Sequence, residues 1–377
     1  MRVGFNARLL HAPTLRGWNR YTVNLLSELL SLGVEVVLFS DQPVHESHLA
    51  RFSCGKLEAR ISSSMNYFRW EQVWLPRECI RAGIDVLHSP FNFGLPFLCS
   101  CPRVLTLHDA AYQIYYRDRQ PLSERLRLNS LKMNLLQWIA RTRAEQIITV
   151  SEHARQDLVK HLGIPAAKIS VTYEAADSGF AQPIPENERK RVRARYQLDS
   201  PYIFYVGGWE QRKNVSFLLT AFARVRLSGV RLVLAGGTAG QMAALSALSA
   251  ELGVAGSVQL LGWVDEPDLP ALYAEALCFV YPSEYEGFGL QVCEAMATGC
   301  PVLAARAASL PEVLGDGGET FSLETTTELE ALLQTIAGSA VARAALQQRA
   351  KTRIQEFSWK TTAQKTLGVY RKAVSAK

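Results

Sequence analysis

From Tyr281 to Glu294 the chain reads Tyr-Pro-Ser-Glu-Tyr-Glu-Gly-Phe-Gly-Leu-Gln-Val-Cys-Glu. An apolar run into Tyr281 and a helical pattern from Leu290 make this stretch a strand end, a loop and a helix start. Gly287 and Gly289 let the loop backbone approach a ligand closely. The helix N-terminus beyond it turns unpaired N–H groups and the positive end of the dipole toward the same point, an arrangement that suits a diphosphate. Glu286 and Glu294 flank the loop with seven residues between them, one before the helix and one about a turn inside it. Two carboxylates beside an anion site are poor phosphate ligands but good acceptors for sugar hydroxyls.

The elements that must position these groups alternate almost from end to end. Strands are expected at Val3–Ala7, Val34–Phe39, Asp85–His88, Arg103–Leu107, Gln146–Val150 and Ile169–Thr172, with helices near Asn19–Ser31, Phe68–Ala82, Ser123–Arg143 and Glu152–His161. Residues 175–190, with two prolines and small polar residues, read as a linker. The alternation then restarts with strands at Tyr202–Val206, Arg231–Ala235, Ser257–Leu260, Leu277–Tyr281 and Pro301–Ala305, and ends in a helix over Phe357–Val374. Strand, helix, strand in this order implies two α/β units, each a doubly wound parallel sheet. The expected domains are 1–175, joined by the helix 357–377 crossing back, and 176–356. Ligands of such sheets bind outside the carboxyl ends of the strands, so a cleft between the two units is the expected site.

Composition agrees with a globular chain: 377 residues, 48% hydrophobic, 20% charged, net charge +6. No stretch has the roughly 20 apolar residues of a membrane span. The N-terminus runs directly into an alternating apolar segment without a signal-peptide pattern, so a cytoplasmic location is expected. Seven cysteines include one close pair, Cys99 and Cys101, and no second pair or His-x3-His completes a zinc set; they read as reduced core residues. Positive charge concentrates at Arg117, Arg119, Arg125, Arg127, Lys132, Arg141 and Arg143, opposed by Asp118 and Glu124. That segment fits either a solvated helix face or, with Tyr115, Tyr116 and Trp138 interleaved, a peripheral approach to the inner face of a membrane. No nucleic-acid partner is expected.

The string Pro-Ser-x-Tyr-Glu-Gly-Phe-Gly-Leu followed by Glu294 resembles the signature of retaining glycosyltransferases of family 4, which have the GT-B fold of two Rossmann-like domains facing each other across a cleft. The resemblance implies that Glu286 contacts the donor sugar and Glu294 the nucleotide ribose. Tyr205-Val-Gly-Gly-Trp-Glu-Gln-Arg-Lys-Asn214 resembles the family's strand–loop–helix in which an Arg and a Lys hold the donor diphosphate, here Arg212 and Lys213, with Gly207 and Gly208 keeping that wall thin. Leu105-Thr-Leu-His-Asp109 matches the place where the family sets a His near the reacting carbon, which carries over to His108 with Asp109 as its support. Thr14-Leu-Arg-Gly-Trp-Asn-Arg-Tyr21 resembles the glycine-rich loop that closes over the diphosphate. Gly17 is retained, whereas Trp18 and Asn19 replace small residues and a further Gly and become candidates for acceptor contact. Leu234-Ala-Gly-Gly237 matches the segment below the base, and Phe357-Ser-Trp-Lys the crossover helix.

The activity implied is transfer of a hexose or deoxyhexose from a nucleotide diphosphate sugar to a saccharide or lipid-linked hydroxyl, in cell-surface polysaccharide synthesis. Retention would come from same-face attack, the leaving phosphate taking the acceptor's proton, with Arg212, Lys213, the loop at Gly17 and the amides of Phe288, Gly289 and Leu290 stabilising charge. No cofactor is implied, and no D-x-D triplet offers a metal ligand pair. Two alternatives remain: a hydrolysing epimerase on the same fold, and a two-lobed sugar-binding protein, which would carry a secretion signal and no phosphate-binding pair. A dehydrogenase is disfavoured, since no G-x-G-x-x-G follows the first strand.

Overall fold

The computed structural model describes residues 1–13, 17–52, 54–116 and 128–376. The chain divides into two compact units, Met1–Glu174 with Ser358–Lys377, and Ala175–Phe357.

The first unit is built on seven parallel strands: β1 (Arg2–Asn6), β2 (Glu35–Ser40), β3 (Leu57–Ile61), β4 (Val86–Ser89), β5 (Arg103–Thr106), β6 (Gln146–Thr149) and β7 (Ile169–Val171). Their spatial order is β3-β2-β1-β4-β5-β6-β7. The central strands are buried on both faces, with Val3, Phe5, Leu38, Leu87, Leu105 and Ile147 all inaccessible, and several of them, such as β2, carry apolar residues at successive positions. β3 was not anticipated. It is an edge strand carrying Glu58 and Arg60, and backbone pairing with β2 holds it rather than a buried face. The helix expected over Phe68–Ala82 is broken into Tyr67–Arg69, a π turn at Trp70–Trp74 and Leu75–Ala82, the last starting where Pro76 has no N–H to give.

The C-terminal helix Trp359–Ser375 completes this unit. Its buried residues Trp359, Thr362, Ala363, Thr366, Val369, Tyr370 and Ala373 fall at three- and four-residue spacing, one face of a helix. Thr362 Oγ1 donates to the Tyr173 carbonyl. Tyr370 Oη lies 2.7 Å from Nδ1 of His88 on β4, whose Nε2 is 2.8 Å from Thr106 Oγ1 on β5. Burial, with His108 nearby, pushes the His88 pKa down to about 3.

The second unit has six parallel strands, β8 (Tyr202–Val206), β9 (Arg231–Ala235), β10 (Val258–Gly262), β11 (Cys278–Tyr281), β12 (Val302–Ala305) and β13 (Glu319–Phe321), in the order β10-β9-β8-β11-β12-β13. The stretch expected as a linker is only partly one, because a helix, Glu186–Tyr196, begins within it after Pro185. That helix buries Val192 alone and is tied down by charge instead: Arg191 and Arg195 pair with Asp268, and Arg189 and Arg193 with Glu275. A helix held by ion pairs has no apolar period to read. Helices Thr327–Gly338 and Ala340–Arg353, also unanticipated, close the unit.

Candidate active site

In each sheet the strand order reverses once, between β1 and β4 and between β8 and β11. The loops leaving the carboxyl ends of the strands at such a reversal diverge and leave room for a ligand. In the second unit these are the loops after Val206 and after Tyr281, which carry the motif residues.

After β8 the chain passes Gly208, whose carbonyl accepts from Tyr205 Oη at 2.6 Å, and makes a 3-10 turn at Gln211–Lys213. Asn214, left-handed at φ 53°, redirects it into the helix Val215–Val225. This turn presents Arg212 and Lys213 to the β11 loop. Lys213 Nζ donates to Tyr281 Oη at 2.7 Å and to Glu286 Oε1 at 2.6 Å. Arg212 Nη1 lies 3.2 Å from the same oxygen and donates to the Tyr285 carbonyl at 2.8 Å. Ser283 Oγ donates to Glu286 Oε1 at 2.6 Å. Oε1 thus takes all of these donors. Burial would raise the Glu286 pKa, but Lys213 and Arg212 outweigh it and hold the carboxyl below its ordinary value. For Lys213 burial is the larger influence and lowers the ammonium, with Glu286 opposing. Two cations and one carboxylate leave the cluster itself with a positive charge, and the Glu210 carboxylate also acts on Lys213.

The backbone around this cluster is constrained. Gly289 caps the helix Leu290–Ala297 at φ 99°, and a Cβ there would stand 2.7 Å from Leu310 Cδ2, so both conformation and space require glycine. Ser309 Oγ lies 2.9 Å from the carbonyl oxygens of both Glu286 and Phe288, its one proton serving either, and so ties down the turn through Gly287. Gly237, after β9, is left-handed at φ 75° and packs beneath the Trp209 ring, where a Cβ would approach to 2.3 Å. Glu294 is brought less close: it is buried inside the helix and accepts from Tyr273 Oη at 3.0 Å rather than joining the cluster.

In the first unit His108 follows β5 and is buried. Its Nδ1 is 3.1 Å from Glu174 Oε1 and its Nε2 3.0 Å from the Pro90 carbonyl. A neutral ring can donate to only one of these two acceptors. Asp109 Oδ1 accepts from the Ala111 N–H at 2.9 Å. Glu174, from the far end of the unit, stands against the ring as well. The Tyr21 ring meets His108 edge-on at 4.7 Å between centroids. Trp18, half-buried, is 6.3 Å from both His108 and Phe91. Gly17 takes φ 43° before the helix Trp18–Ser31, which also carries Asn19. Thr14, Leu15 and Arg16 lie outside the described residues, as do Arg117, Asp118, Arg119, Glu124, Arg125 and Arg127 and the side chain of Lys132.

Sequence reasoning missed Tyr273, Ser283, Ser309 and Glu174. Ser283 stood inside the motif and could have been read. Glu174 and Ser309 carry no local signal.

Residues 186–353 match the model of the glycosyl transferases group 1, and residues 15–179 that of glycosyltransferase family 4. The chain is 32% identical over 295 residues to the O-antigen chain mannosyltransferase B of Escherichia coli, covering 76% of this chain and 74% of that one. The chain belongs to the family 4 glycosyltransferases. A second relative of this glycosyltransferase, the MMP alpha-(1->4)-mannosyltransferase of Mycolicibacterium hassiacum, is 33% identical over 237 residues, 61% of this chain but only about half (54%) of the relative's length. Among solved structures, a glycosyltransferase of Rickettsia africae superposes with a TM-score of 0.74 at 16% identity, covering 100% of this chain and 99% of its own. Anabaena HepE in complex with UDP-glucose gives 0.75 at 17% identity, covering 100% of both chains. The glycosyltransferase thus has the GT-B type of fold, two parallel-sheet α/β domains. No helix among its described residues is long and apolar enough to cross a membrane.

Proposed function

We propose that this glycosyltransferase moves a hexose or deoxyhexose, first of all mannose, from a nucleotide diphosphate sugar to a hydroxyl of a saccharide or lipid-linked saccharide, with retention and without a metal. The observation that carries the reading is the Arg212–Lys213–Glu286 cluster at the β8/β11 reversal, with Lys213 and Glu286 buried. Its surplus positive charge matches a departing diphosphate, and Arg adds a planar fork to the point charge of Lys. The Glu286 carboxylate is assigned as the acceptor for a hydroxyl of the donor sugar. N–H groups at Gly289 and Leu290 add to the anion site. Glu294, oriented by Tyr273, takes the ribose, and the loops at Gly208 and Gly237 are assigned to the nucleotide.

In the transfer, charge on the leaving phosphate oxygen grows as the anomeric bond stretches, and Arg212 and Lys213 stabilise it in a site shielded from water. The same oxygen accepts the proton of the incoming hydroxyl on the face it leaves, so configuration is kept and neither glutamate acts as nucleophile. His108, fixed by Glu174 and the Pro90 carbonyl, is assigned to the sugar being transferred, and Trp18 with Asn19 to the acceptor. The two mannosyltransferases among the relatives support a mannosyl donor and a surface-polysaccharide setting.

The test is a melting-temperature screen against GDP-mannose, UDP-hexoses and dTDP-rhamnose, followed by nucleotide release with and without oligosaccharide acceptors in chelator. A ligand that binds only the folded state raises the melting temperature with its affinity. One donor should stand out, release should depend on acceptor, and the product anomer should match the donor by NMR. Release indifferent to acceptor, inversion, or loss of turnover in chelator restored by manganese would each overturn the corresponding part.

A further inference from the structure

Sequence spacing pairs Cys99 with Cys101 and stops there. The fold adds a third thiol. Cys79, on the helix Leu75–Ala82, meets the two loop cysteines between β4 and β5, and the three sulfur atoms all lie within 4.8 Å of one another. Cys99 Sγ and Cys101 Sγ are 3.4 Å apart. Cys79 and Cys101 are buried, and Cys99 is half-exposed at the rim.

We propose that Cys79, Cys99 and Cys101 form a three-thiolate site for a closed-shell thiophilic ion of the zinc class, which fastens the helix Leu75–Ala82 to the loop before β5. An ion bound tetrahedrally at a metal–sulfur distance of about 2.3 Å spaces its sulfurs about 3.8 Å apart, so the observed cluster needs only small adjustments to close on one. Soft thiolate sets select such ions over magnesium or calcium.

The surroundings suit the charge. Three thiols binding a divalent ion release three protons and leave a complex of net charge −1. Arg103 places a cation two residues after Cys101 in the chain. Arg103 also holds the loop, donating to the carbonyls of Pro96 at 3.2 Å and Phe97 at 2.8 Å and pairing with Glu145 at 2.7 Å. Among the described residues no fourth Cys, His, Asp or Glu joins the three, which leaves one coordination position to water at the half-exposed rim. This site belongs to the first unit and uses none of the residues assigned to the donor.

The full chain, reduced and stripped of metal with chelator, is titrated with Cd2+ while sulfur-to-metal charge-transfer absorbance in the ultraviolet is followed, then with competing Zn2+. The expected result is one equivalent per chain, displaced by Zn2+, with three protons released to an indicator. Cys99→Ser, a change at the rim that preserves the fold by circular dichroism, should weaken binding more than about a hundred-fold, beyond the cost of losing a mere supporting residue. Cys79→Ser should do the same, and Cys54→Ser, at an exposed position, should not. Absence of the charge-transfer band in the wild type, or a Cys79→Ser chain that binds as the wild type does, would overturn the proposal.

Discussion

At Glu286 a single carboxylate oxygen is shared by an ammonium, a guanidinium and a hydroxyl, with the ammonium buried and the guanidinium partly so. In such a place each charge depends on the others, and removing one costs more than its own contact. Arg212→Ala should lower kcat/KM by roughly a hundred- to a thousand-fold, or about 2.7–4 kcal/mol in the barrier, the usual cost of one group that stabilises developing charge. Arg212→Lys should recover only part of this, since the fork is lost. Comparing the two variants by steady-state kinetics, with melting curves as a fold control, checks both. The pH dependence has a definite sign. The folded Glu286 carboxyl titrates below its ordinary value of 4.5, so the stability it lends is complete above that pH and drains away as the pH falls below it. Urea unfolding should therefore show a shallower acid slope in Glu286→Gln than in the wild type, and parallel slopes would contradict the ion-pair assignment.

At the level of elements, the C-terminal helix is fastened to the sheet through a polar chain, Tyr370 to His88 to Thr106, inside an apolar core. Tyr370→Phe leaves a buried imidazole nitrogen without its partner and should cost about 1–3 kcal/mol of stability, measured by denaturant unfolding. The same chain gives an acid effect. His88 titrates near 3 in the fold against an ordinary 6.5, so its contribution is whole above 6.5 and is lost progressively as pH drops toward 3. This level also shows what could be read in advance. Strands such as Tyr202–Val206 and Arg231–Ala235 were legible because burial on both faces leaves an unbroken apolar run. β3 and the helix Glu186–Tyr196 were not, since pairing at an edge and ion pairs hold them, and neither leaves a hydrophobic period. Arg212, Lys213 and Glu286 were legible because each sits in a local string. Glu174 reaches His108 from 66 residues away, and nothing near Glu174 in the chain announces it.

For the molecule as a whole, charge and exposed apolar surface fall in one neighbourhood. On the helix Leu128–Arg143 the exposed Leu131, Leu135 and Trp138 stand at i, i+4 and i+7, one face, with Arg141 and Arg143 in the last turn. Such a face suits the boundary between lipid headgroups and acyl chains. The chain should sediment with anionic vesicles at low salt, Trp138→Ala with Leu135→Ser should lose most of that binding, and raised salt should weaken it. Indifference to vesicle charge would leave the acceptor free in solution.

The helix Trp359–Ser375 belongs to the unit built mainly from residues before 175, yet all of the other unit lies between them in the sequence. During translation the second unit therefore has its entire complement of strands outside the ribosome while the first still waits for Tyr370 to reach His88. The portion made first is finished last, and until then its sheet has one groove uncovered, a natural point of call for a chaperone.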